Sequence, residues 1–268
     1  MLLVRIYKYI MEIINNILSN IFTNFMAGLL FNGTIIFLVY FLIWKKFAKR
    51  FQNFRIQLKN RVNNKQIRRE LKNSLYALLV SALFSTLVIL LSMKGYTKIY
   101  YDTSEYGLFM SLISFFVLLL IDDTWFYWTH RLLHSPKIYK HIHKEHHKSI
   151  DVNPFTSMSF HVIEAIILTF WILPVSFIFP IYVPTLILLQ LWGLFDNVKA
   201  HLGYEFYPSW WNKSVLKFMT SSTHHNMHHS QFNGNYGLHF RFWDKLLGTE
   251  FKDYEEKYDN IKNRSKLE

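Results

Sequence analysis

The sequence predicts an all-α integral-membrane fold: about four transmembrane helices, as three spans plus a proline-broken hairpin, beneath a cytoplasmic helical cap that holds a histidine-rich centre. Three observations predict it. Apolar residues gather in long blocks, and 21–44, 74–93, 106–121 and 165–195 contain no Asp, Glu, Lys or Arg. About 20 mostly apolar residues suffice to span a bilayer. The charge lies between the blocks and is strongly positive, +12 in all. Finally, all 13 histidines fall between positions 130 and 239. The mean hydropathy of +0.10 averages the apolar blocks with basic connecting segments.

Residues 1–20 read as a short amphipathic or interfacial helix rather than a cleaved leader, because no small-residue cleavage site follows the apolar run. The first span is expected near 23–44, with Trp44 and Lys45–Lys46 marking the interface. Residues 45–72 hold eleven Lys/Arg and a single acid, Glu70. Such density beside two spans places the segment on the cytoplasmic face, where part of it can meet anionic headgroups. The basic balance is thereby explained without nucleic acid. A second span over 74–93 leads through a short loop to a third, about 106–128. That span ends in an aromatic belt, Trp125-Phe126-Tyr127-Trp128. Residues 165–195 are too long for one perpendicular helix, and Pro174, Pro180 and Pro184 divide them into a hairpin or re-entrant pair. Three regions result: 1–104 with the interfacial helix, two spans and basic linker; 105–250 with the histidines; and a charged tail, 251–268.

There is no cysteine, which excludes disulfides, thiolate metal sites and cysteine nucleophiles. Any metal must be held by nitrogen and oxygen. His130 and His134 form H-x-x-x-H at the end of the third helix, where residues four apart share a face. Ser135-Pro136 then ends the helix. His143, His146 and His147 form H-x-x-H-H, and His225, His228 and His229 repeat it. These supply eight imidazoles, and His201, just beyond the hairpin, is a ninth candidate. A catalytic zinc takes about three protein ligands plus water, so eight or nine histidines fit two ions of higher coordination number. Imidazole suits zinc, copper, iron and nickel alike, and ligand type alone does not choose. H-E-x-x-H is absent, and Glu145 beside His146 misses H-x-x-E-H because residue 142 is Ile. A zinc-dependent membrane hydrolase and a non-catalytic membrane metal-binding protein remain the alternatives to a two-metal redox centre. The second would need polar residues within the spans, which the uncharged blocks scarcely contain.

These motifs resemble the fatty acid hydroxylase / sterol desaturase superfamily, marked by H-x(3,4)-H, H-x(2,3)-H-H and a later H-x(2,3)-H-H on a four-span scaffold. The likeness covers roughly residues 105–250. It includes the run from Asp123 to His134, Pro136 to His143, Asn153-Pro154, and the closing Asn235-Tyr236-Gly237 and Phe242 to Thr249. The first 100 residues resemble only generic spans. The resemblance implies an O2-dependent oxidoreductase with two iron ions, which hydroxylates or desaturates a lipid C–H bond, sterol-like or fatty acyl, with two electrons from an external donor. Zinc readily replaces iron in such sites. The donor would be cytochrome b5-like or ferredoxin-like, and Lys137, Lys140, Lys144 and Lys148 form a basic surface suited either to that donor or to the membrane surface.

By position the resemblance makes His130, His134, His143, His146, His147, His201, His225, His228 and His229 metal ligands. It adds His161, matched mainly in sterol-type members, as a ligand or a support to one. No catalytic group is implied beyond the ligands. Asp123, Glu164, Asp196 and Asp244 are candidates to accept the second ring N–H of a ligand. Asp123 leads, two turns before His130. His224 competes with His225 for the motif register, which the spacing gives to His225. His141 and His239 have no matching role and are expected to be structural or surface residues. Substrate would enter from the bilayer between the third span and the hairpin.

Overall fold

The computed structural model describes residues 2–59 and 61–264. Long helices carry the apolar blocks: α1 (Leu2–Val39), α2 (Asn64–Met93) and α3 (Gly107–Leu133). Short ones follow: α4 (Pro136–Tyr139), α5 (Lys144–His147), α6 (Val162–Phe170) and α7 (Ile172–Ile178). The chain closes with α8 (Val183–Ala200), α9 (Ser222–Gln231), α10 (Phe242–Leu246) and α11 (Tyr254–Arg264). Among the described residues the only sheet is a two-residue parallel pair, β1 (Ile99–Tyr100) with β2 (Ile181–Tyr182). The protein is thus predominantly helical, and three helical stretches, Arg5–Lys46, Asn64–Met93 and Gly107–Leu133, are long and apolar enough to cross a membrane.

The first of these differs from expectation. Instead of an interfacial helix followed by a span, α1 is continuous and passes directly into a π-helical turn, Tyr40–Lys46. The turn rotates Tyr40 and Trp44 inward, where they pack with Ile36, Phe155, Val198 and Tyr204. Trp44 is therefore packed in the core, and its indole N–H donates to Leu202 O at 2.8 Å. Gly203 makes this fit possible. Its φ is +78°, and a Cβ there would lie 2.7 Å from the Trp44 ring and 2.8 Å from Val152 O. The aromatic belt is also mostly turned inward. Tyr127 is fully buried with its hydroxyl 2.9 Å from Thr249 Oγ1, Trp125 donates to Ile167 O, and only Trp128 is well exposed.

The prolines act as the sequence suggests. The second half of the chain rises through α6 and α7, turns at Pro180, and returns along α8, whose first turn contains Pro184. At that turn Lys98 N–H donates to Ser176 O and Ile181 N–H to Lys98 O, at 2.7 and 3.1 Å. The hairpin tip and the α2–α3 connection therefore lie at one end of the bundle, and the histidines at the other. The charged tail is partly a docked helix. Tyr254 and Tyr258 of α11 are buried, and the Tyr258 hydroxyl donates to Pro208 O. Residues 265–268 of that tail, Asn60 of the basic linker and Met1 lie outside the described residues.

Candidate metal centre

Each histidine motif sits at a point where helix geometry aims it inward. α3 runs past its apolar stretch to deliver His130, with His134 as its C-cap. Pro136 starts the one-turn α4, and α5 follows with His146 and His147 buried. Ser221 caps α9 by accepting from His224 N–H at 3.2 Å, which fixes the rotation of His225, His228 and His229. His201 is the C-cap of α8.

The nine imidazoles assemble into two groups. His130, His134, His143, His147 and His228 form one, and His146, His201, His225 and His229 the other. Within each group, one ligand atom per residue lies within 4.8 Å of every other. Both H-x-x-H-H motifs are divided by the helical repeat. His143 and His147, four apart, serve the first group, while His146 turns to the second. His225 and His229 serve the second, while His228 turns to the first.

Outer hydrogen bonds fix the ring orientations. Nδ1 of His130, His146, His201, His228 and His229 meets the carbonyl oxygens of Tyr236, Ser159, Asn197, Gly234 and Ser149 at 2.7–3.1 Å. His143 Nδ1 meets Glu164 Oε1 at 2.8 Å. A carbonyl only accepts, so each Nδ1 must carry the hydrogen and each neutral ring presents an Nε2 lone pair inward. Yet His130 Nε2 is 3.1 Å from His143 Nε2, and His146 Nε2 is 3.3 Å from His201 Nε2. Lone pairs facing one another across such gaps repel unless a cation lies between them. A shared proton is disfavoured, because burial and then neighbouring histidines push His143 and His146 well below the ordinary imidazole pKa. Burial likewise lowers His201 to about 4. Nitrogens about 2.1 Å from one ion and at right angles stand about 3.0 Å apart, and the remaining Nε2 contacts span 3.0–3.2 Å. The residues fit one metal ion per group.

The other candidates are placed differently. His161 lies outside both groups; its Nδ1 accepts from Ile163 N–H and it caps α6. Asp123 bonds no ring, since its Oδ1 accepts the main-chain N–H groups of His239 and Phe240 at 3.1 and 3.0 Å. The closing loop, more than any ligand, explains its place two turns before His130. Asp196 bonds His239 and Lys199. Asp244 receives Tyr236 N–H, Gly237 N–H and the Thr249 hydroxyl. Of the four carboxylates only Glu164 reaches a histidine of either group. His141 is exposed. His239 is fully buried between Asp196 and Asp122, at 2.6 and 3.1 Å. Its burial among carboxylates was not legible in the sequence, because the acids come from distant helices.

Both groups open on one narrow cavity between α3 and α6. Its apolar walls are Phe126, Leu133, Phe160 and Leu168, and Glu164 also faces it. Glu164 Oε2 is buried there without a hydrogen-bond partner. On the outer side, Lys137, Lys140, Lys144 and Lys148 are all exposed over α4 and α5.

The fatty acid hydroxylase family model matches residues 115–249, just over half of the chain. Human lathosterol oxidase is 36% identical over 168 residues, 60% of this chain and 53% of that protein. A Delta(7)-sterol 5(6)-desaturase of Gibberella zeae is 35% identical over 181 residues, 65% of this chain and 48% of that protein. A putative methylsterol monooxygenase of Dictyostelium discoideum is 38% identical over 141 residues, 52% of this chain and 50% of that protein. The chain spans about half the length of the curated relatives it matches. No solved structure matches it.

Proposed function

The chain belongs to the fatty acid hydroxylase family, and from that premise we propose that it is a membrane oxygenase that hydroxylates or desaturates a C–H bond of a sterol-like or fatty acyl lipid. The observation that carries this reading is the pair of imidazole groups whose anchored Nε2 lone pairs converge beside one apolar cavity. Two groups speak against a single-ion hydrolase, which needs about three ligands and water. The sterol side of the proposal draws on the relatives' names, lathosterol oxidase, Delta(7)-sterol 5(6)-desaturase and methylsterol monooxygenase.

Two iron ions, one per group, would supply the O2 and electron chemistry when bound. His130, His134, His143, His147 and His228 would hold one, and His146, His201, His225 and His229 the other. The protein's part is orientation and dryness. The carbonyl anchors hold five of the nine rings, those of His130, His146, His201, His228 and His229, before any ion arrives, and Glu164 holds His143, so binding needs less reordering. Phe126, Leu133, Phe160 and Leu168 line the cavity; they would exclude water and face the C–H group of a lipid approaching from the bilayer between α3 and the hairpin. The exposed Lys137, Lys140, Lys144 and Lys148 would seat an acidic one-electron donor, cytochrome b5-like or ferredoxin-like, on the cytoplasmic face.

The test is metal analysis of protein purified in mild detergent, joined to lipid profiling of cells with and without it. Two irons per chain, donor-dependent O2 uptake and an oxidised or desaturated lipid are expected. A single zinc with no iron-dependent O2 uptake overturns the reading.

A further inference from the structure

Glu70 was only the lone acid of a basic linker in the sequence, and it lies outside the segment matched by the family model. In the structure it is wholly buried on α2. Four neutral donors converge on it. Oε1 accepts from Gln66 Nε2, Ser149 Oγ and Thr156 Oγ1 at 2.9, 2.7 and 2.8 Å, and Oε2 accepts from Asn153 Nδ2 at 2.8 Å. Gln66 and Asn73 lie four residues before it and three after it on the same helix face, and Arg69, three from Gln66 and four from Asn73, borders that stripe. They bond the same loop, through Asp151 O, Ser149 Oγ and Ser159 Oγ.

That loop, residues 149–159, supplies anchors to only one histidine group. Ser149 O meets His229 Nδ1 at 3.0 Å, and Ser159 O meets His146 Nδ1 at 3.1 Å. The anchors of the five-histidine group lie elsewhere, on Tyr236, Gly234 and Glu164. Asn153 and Thr156, held by Glu70, also form the capping box of the 3-10 turn Pro154–Met158 that ends at Ser159. One buried side chain thereby sets both ends of the loop.

Resting on the two-metal reading above, we infer that Glu70 is a positioning residue for the four-histidine group: it fixes the loop carbonyls that aim His146 and His229, and so sets metal affinity at that group alone. Glu70→Gln keeps the size but places an amide on one of the two oxygens. Wherever the NH2 falls, it faces a donor: Asn153 Nδ2 on one side, or three donors on the other. Asn153 cannot turn to accommodate it freely, because its Oδ1 already accepts from Phe155 N–H at 3.0 Å.

The experiment is cobalt(II) titration against a competing chelator, with the full chain in detergent. Wild type must bind two cobalt ions; fewer would sink the two-metal reading itself. Glu70→Gln is then measured on two backgrounds. With the five-histidine group disabled by His134→Ala and His228→Ala, it should weaken the remaining site about 10- to 100-fold, the usual cost of losing an outer partner. With the four-histidine group disabled by His201→Ala and His225→Ala, it should leave the remaining site unchanged. Equal loss on both backgrounds, or loss on neither, overturns the inference while leaving the two-metal reading intact. If Glu70→Gln does not fold, Thr156→Val removes two bonds of the same network, the one to Glu70 and the one from Asn153 N–H, and is read the same way, with a smaller loss on the first background only.

Discussion

The two histidine groups share both H-x-x-H-H motifs but are held by different means. The five-histidine group takes residues from α3, α5 and α9, and one of its rings, His143, leans on a carboxylate. Its His134 is only partly buried, beneath Tyr139. The four-histidine group is buried throughout, and Nδ1 of His146, His201 and His229 each meets a main-chain carbonyl. Those carbonyls belong to a loop pinned by α2 and to the end of α8. The difference teaches that spacing alone selects which rings meet, whereas affinity is set by what stands behind them. An anion behind a ring makes it a stronger donor, while a carbonyl mainly fixes its direction. The two groups should therefore respond separately to changes in their supports.

The largest expected effect breaks both groups in turn. His228→Ala removes a residue of the five-histidine group, and His146→Ala one of the four-histidine group. Each should lower turnover by more than about 100-fold, beyond the loss typical of an outer partner. Each should also leave one firmly held metal ion per chain rather than two, with membrane insertion unaltered. Quantitative metal analysis of each variant checks this. Two ions retained in either variant would remove that histidine from the proposed ligand set.

A smaller effect sharpens the contrast in supports. Glu164→Gln keeps a hydrogen-bond acceptor at His143 Nδ1 but removes the charge, and Glu164→Ala removes both. Metal affinity of the five-histidine group should fall in the order wild type, Gln, Ala, by about 10- to 100-fold overall. The other group should be unmoved, since none of its rings touches Glu164. Chelator competition measures the order. Identical affinities for Gln and Ala would show that the charge behind His143 contributes nothing.

How much of this was legible beforehand follows from what each signal depends on. Helical period is local, so the three motifs and the sharing of a helix face could be read directly from His130 to His147 and from His225 to His229. Long uncharged blocks are equally local, and they marked α1, α2 and α3. Partners from remote elements left no such trace. Asp123 looked suited to a ligand because it precedes His130 by two turns, but the main chain at His239 and Phe240 occupies it. His161 was matched by family likeness as a ligand or a support to one, and its Nδ1 accepts from Ile163 N–H at the start of α6, outside both groups. Glu70 was hidden for the same reason, since its four donors lie on α2 itself and in a loop some 80 residues away. The inward packing of Trp44 was hidden because a π-turn, invisible in composition, rotates it into the core.

The smallest effect concerns a second kind of buried histidine, and it turns on sign. His239 and His201 are both fully enclosed, yet their proton affinities move in opposite directions. Burial lowers His201 to about 4, only partly opposed by its bond to Asn197. Burial acts to lower His239 as well, but hydrogen bonds and charges from Asp122 and Asp196 outweigh it and raise the value to about 9. The folded protein therefore holds a proton at His239 that the unfolded chain releases near the ordinary value of about 6.5. The stabilisation is present in full below that pH and is lost as pH rises through about 9. At about 1.4 kcal/mol per unit it amounts to roughly 3 kcal/mol. For His201 the sign reverses: metal-free protein should lose stability as pH falls from about 6.5 towards 4. Thermal melting of metal-free His239→Gln in detergent should show its deficit at pH 6 and little of it at pH 9.5. A deficit independent of pH would mean that His239 is held as a neutral ring, and that the clamp between α3 and α8 depends on shape instead of charge.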